Sequence, residues 1–79
     1  MERKKSFLLG DLVYYVGPPV LHPLKWELIV INNNGIINKE DVGIIVKCDS
    51  FLNIADVFFQ KSKITINRIS YRQLKIITD

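Results

Sequence analysis

Short apolar runs alternate with turn residues along almost the whole chain, and this punctuation limits the fold more than any other feature. Gly10-Asp11 opens a run over residues 12–16, and Gly17-Pro18-Pro19 closes it, because proline cannot donate to a strand ladder. Residues 17–25 read as an irregular excursion, and residues 26–31 as a second strand. Asn32-Asn33-Asn34-Gly35 follows; Asn and Gly tolerate the positive φ that tight hairpin turns require. Ile36 and Ile37 begin the return limb, and Lys39-Glu40-Asp41 forms a polar corner. Residues 43–48 are a nearly continuous apolar strand, broken only by Lys47. Asp49-Ser50 turns the chain, with Asn53 helping to close the turn, and residues 54–59 form the next strand. Lys61-Ser62-Lys63 turns it again before Ile64-Thr65-Ile66, which alternates as a half-buried strand should. Residues 70–73 suit a single tight helical turn, and residues 74–77 a closing strand. Short strands at close spacing predict an all-β fold. At this length a small barrel is favoured over an open sheet, because closure removes exposed edges.

Composition supports this reading. Seventy-nine residues make one domain. Isoleucine occupies twelve positions, while alanine occurs once, at Ala55; β-branched excess favours strands. Cys48 is the only cysteine, so no internal disulfide staples the fold, and it reads as a small buried apolar residue. The longest uncharged run, residues 12–24, contains Pro18, Pro19 and Pro23 and is too short and broken to span a bilayer. The basic start Met1-Glu2-Arg3-Lys4-Lys5 leads into an apolar run that stops at Asp11, a pattern not expected of a secretory signal. Net charge is +3. Basic residues gather at the start and in the last third, which permits an anionic partner without requiring one.

The order of landmarks carries a resemblance. Gly10-Asp11-Leu12-Val13-Tyr14-Tyr15 is followed, after a long excursion, by Gly43-Ile44-Ile45-Val46-Lys47, then Ala55-Asp56-Val57-Phe58-Phe59, then Tyr71-Arg72-Gln73-Leu74-Lys75-Ile76-Ile77. This resembles SH3-like barrels, with a "GD-x-V" first strand, a "G-x-V" strand, a "V-x-F/W" strand and a short "L-x-x-I" closing strand. Small proteins of this layout are common in tailed bacteriophages, cyanophages among them. The resemblance implies a small SH3-like barrel of five to six short strands over residues 10–79, with a basic arm at 1–9 and an insertion at 17–41. It further implies a minor virion or assembly protein, found in the virion or the host cytoplasm. Its partners would be other virion or assembly proteins or further copies of itself, and not a membrane. Two departures stand out: the length of the insertion, and Phe58 and Phe59 where a tryptophan is usual.

Catalysis has little to support it. His22 is the only histidine, and no nucleophile, metal-ligand or phosphate-loop motif accompanies it. Glu40-Asp41 reads as a solvated turn, and Gly43 lacks the second glycine and following helix of a phosphate cradle. No cofactor, metal or enzymatic role is expected. For binding, the insertion offers Leu21, Leu24, Trp26 and Leu28, with Tyr14 on the first strand. It carries more apolar residues (Val20, Ile29, Val30 and Ile31 besides) than a small core is expected to bury, which predicts a patch covered by a partner. The alternative is nucleic-acid binding through Lys61, Lys63, Arg68 and Arg72, with Tyr14, Tyr15 and Tyr71 stacking on bases.

Overall fold

The computed structural model describes residues 7–17, 27–31 and 35–77. The strands are β1 (Leu12–Tyr15), β2 (Leu28–Ile31), β3 (Gly35–Asn38), β4 (Val42–Asp49), β5 (Ile54–Phe59), β6 (Ile64–Ser70) and β7 (Leu74–Ile76). Among the described residues one 3-10 turn, Tyr71–Gln73, stands between β6 and β7. Five strands form an antiparallel sheet in the order β6-β5-β4-β1-β7, and β2 and β3 form a separate hairpin. This is a small all-β, barrel-like domain in which a hairpin fills the long connection between the first strand and the Gly43 strand.

Alternation explains the core. In β1, Val13 is buried while Leu12 and Tyr14 are exposed; in β5, Ala55, Val57 and Phe59 point inward. The inner row Val13–Gly43–Phe59 follows from the pairings of β1, β4 and β5. Gly43 has to be small there, because a Cβ would run into Val57 and come within 3.0 Å of Phe59. Register shifts between Ile45 and Lys47 and between Ala55 and Val57 put bulges into the long strands. Arg68, at φ 59°, lies beside the second shift. Bulges raise local twist and let a short sheet coil on itself.

The hairpin belongs to this core. Ile29, Ile31 and Ile37 are buried, and Gly35 lies close against the side chains of Ile64 and Ile66. Asn38 donates its backbone N–H and its side-chain amide to Ser62 Oγ, at 2.9 and 3.1 Å. The apolar surplus of 17–41 is therefore not all patch. Of the expected set, Ile29 and Ile31 face inward, and Leu28 and Val30 are half-buried. The core also starts earlier than Gly10. Phe7, within the segment assigned to an arm, is buried and stacks on Tyr71 with ring centroids 4.5 Å apart.

Asp41 joins the two halves. It is 2% exposed, and its two carboxylate oxygens accept the backbone N–H groups of Lys61 and Ser62, each at 2.7 Å. A buried carboxylate is tolerated only when so paired. The polar corner expected at Lys39-Glu40-Asp41 thus contains one residue that is a clamp rather than a solvated group.

Candidate interaction surfaces

The outer face of the five-stranded sheet is built from residues one step out of register with the core. Leu12 pairs with Ile44, and Ile44 with Phe58; Ile77 donates its N–H to Leu12 O at 2.8 Å. Cross-strand partners lie on one face, so Ile77, Leu12, Ile44 and Phe58 make an apolar row on the outside. Tyr14, paired with Val42 and Lys75, stands beside it. Leu12 is 42% and Tyr14 41% exposed. Val46, Leu8 and Leu9 are also exposed, and Gly10 N–H reaches Ile45 O at 2.8 Å, which brings the turn carrying Leu8 and Leu9 alongside β4.

Tyr14 and Tyr15 diverge, as neighbours in a strand must. Tyr15 turns inward; burial raises its pKa above the ordinary tyrosine value, and its hydroxyl accepts from Gln73 Nε2 at 3.4 Å. Tyr14 opens onto a cleft of about 590 Å³ shared with Val16, Lys39, Glu40 and Lys75, which Tyr15 also lines. Of the other residues expected to bind a partner, Leu28 begins β2 and is half-buried. Leu21, Leu24 and Trp26 lie outside the described residues, as does His22.

The four basic residues do not gather in one place. Lys61 and Lys63 occupy the β5–β6 turn, and Lys61 lines a cleft with Glu27 and Glu40. Arg68 lies further along β6, roughly 13 Å from its start at 3.3 Å per residue, where its backbone N–H donates to Asp56 at 2.9 Å. Arg72 sits in the 3-10 turn. All four are exposed, and carboxylates stand among them.

The β4–β5 turn is a feature that the sequence pattern marks only as a bend. Phe51 is 90% and Leu52 53% exposed. Asp49 Oδ1 accepts the backbone N–H groups of Phe51 and Leu52 at 3.0 and 3.2 Å. Asn53 adopts φ 57°, and its carbonyl accepts from Tyr71 N–H at 2.9 Å. Beside the turn lies a cleft of about 300 Å³ that includes Leu52 but not Phe51. Two apolar letters inside a run of turn formers were the available signal.

Among the described residues, no three His, Cys, Asp or Glu side chains come together to hold a metal ion, and no helix is long and apolar enough to cross a membrane. Compared with protein-family models, curated proteins and solved structures, the chain matches none of them.

Proposed function

We propose that the chain is a non-catalytic protein-interaction module, a minor structural or assembly protein of a bacteriophage particle, docking through the outer face of its sheet. The observation that carries this reading is the apolar row Ile77–Leu12–Ile44–Phe58 with Tyr14 beside it. An antiparallel sheet with one solvated face alternates apolar-in and polar-out, whereas strands covered on both faces read as continuous apolar runs. Residues 12–16 and 42–46 read continuously, yet in the single chain one side of them faces solvent. A protein partner that covers this side accounts for the pattern. The phage assignment rests on the landmark order, which resembles that of small phage barrels.

Nucleic-acid binding has less to support it, since the clefts at Lys61 and at Arg68 each set two cations against two carboxylates rather than forming a basic stripe.

Mass spectrometry of purified native particles tests the proposal. The chain is expected among their proteins. A Leu12→Glu, Tyr14→Glu double variant, altered only at exposed positions, is expected to keep its circular dichroism spectrum and fail to incorporate. Absence of the native chain from the particles, or normal incorporation of the folded variant, would overturn the reading.

A further inference from the structure

We infer that the β4–β5 turn is a second interface, on which two copies of the chain associate by inserting each Phe51 into the cleft beside the other's turn. This surface is separate from the sheet face, since neither Leu12 nor Tyr14 lines the cleft.

The inference starts from an uncovered apolar side chain carried on a pinned turn. Phe51 is nine-tenths exposed, in a turn held at three points: two N–H bonds to Asp49 and the Tyr71–Asn53 bond. A fixed turn loses little freedom on docking, and aromatic residues are enriched at interfaces. The adjoining cleft supplies a matching receptor. Leu52, Ile54 and Cys48 give it apolar lining, and its volume is about 300 Å³. An apolar cavity of about 150 Å³ admits benzene, so this open cleft has volume enough for a phenyl ring.

Charge decides what the partner is. Lys47 and Arg68 line the cleft together with Asp49 and Asp56, so two cations are balanced by two anions. Such a surface has no net attraction for a nucleic acid or an anionic lipid headgroup. A balanced set of two cations and two carboxylates can instead face a copy of itself without net repulsion, each cation of one copy having carboxylates of the other to pair with. A projecting side chain next to a cleft that it does not fill is the arrangement an isologous contact needs, with the same patch used by both copies. A contact made by one side chain and one cleft per copy belongs to the weak, transient class.

The test is sedimentation velocity of the full chain from micromolar to millimolar concentration. A reversible monomer–dimer equilibrium is expected. Phe51→Ser should weaken it at least tenfold without altering the circular dichroism spectrum, and Leu12→Glu should leave it unchanged, which separates this contact from the sheet face. Asn67→Trp, at an exposed position lining the cleft, should also weaken it. A mixture of the Phe51→Ser and Asn67→Trp chains should associate more strongly than either alone, because it restores one intact Phe51–cleft pair. A native chain that stays monomeric at millimolar concentration, or a Phe51→Ser chain that associates normally, would overturn the inference. So would a mixture no stronger than its components.

Discussion

Tyr71 joins three parts of the molecule through one side chain. Its ring stacks on Phe7, its backbone N–H holds the β4–β5 turn through Asn53, and its buried hydroxyl makes no hydrogen bond of good geometry, with only the Cys48 thiol beside it. The Cys48 thiol and the Asp49 carboxylate both act on that hydroxyl, but burial is the larger cause of its raised pKa; a thiol is a weak partner. Leaving a polar group buried with so weak a partner is unfavourable, so the ring contributes here and the hydroxyl adds little. Tyr71→Phe should therefore keep or raise stability near pH 7, by at most about 1 kcal/mol. The sign at high pH follows from linkage. A tyrosine harder to ionise folded than unfolded contributes stability that is intact below its unfolded pKa, about 10, and lost as pH rises through its folded value. Urea denaturation of both proteins at pH 7 and above pH 10 should show the variant's advantage growing with pH. Some alkaline loss should remain, because Tyr15 is also raised by burial. A marked loss of stability in Tyr71→Phe at pH 7 would mean that the hydroxyl has a stabilising partner.

At the scale of elements, the β2–β3 hairpin shows what a sequence can and cannot display. Its strands were legible, since a turn-rich segment separating two isoleucine runs is a local signal. So were β1, β4, β5 and the 3-10 turn, each marked by its own alternation or flanking turn residues. Where the hairpin packs was not legible. That Ile29, Ile31 and Ile37 face the sheet, with Asn38 bonded to Ser62 across 24 positions, depends on long-range pairing that no local pattern records. The candidate surfaces divide in the same way. Tyr14 was readable from alternation in its own strand, whereas Phe51 required knowing that nothing packs on the turn. The hairpin's role in the core predicts a contrast between neighbours of one residue type. Ile37 is 1% and Ile36 39% exposed. Ile37→Ala should cost about 2–5 kcal/mol, enough to threaten a domain of this size, while Ile36→Ala should cost less than about 1 kcal/mol. Equal denaturation midpoints would mean that the hairpin is not part of the core.

At the scale of the whole molecule, the two proposed surfaces have a joint consequence. The sheet face is centred on β1 and β4 near Leu12 and Ile44, and the Phe51 turn closes the far end of the β4–β5 hairpin. A dimer made through the turns therefore leaves two sheet faces free. A weak dimer with two equal docking faces suits a surface that repeats its binding site, as an assembled particle does. Binding the second face is then intramolecular, and linkage of this kind raises apparent affinity by about 10²–10⁴ without any new contact. The prediction concerns dissociation from a partner subunit, identified in the particle and immobilised at different densities. The native chain should leave a dense surface much more slowly than a sparse one. Phe51→Ser, with its sheet face intact, should leave both at the native chain's sparse-surface rate. If native dissociation does not depend on density, the two surfaces are not joined in one bivalent species; if Leu12→Glu binds either surface normally, the sheet face is not what docks.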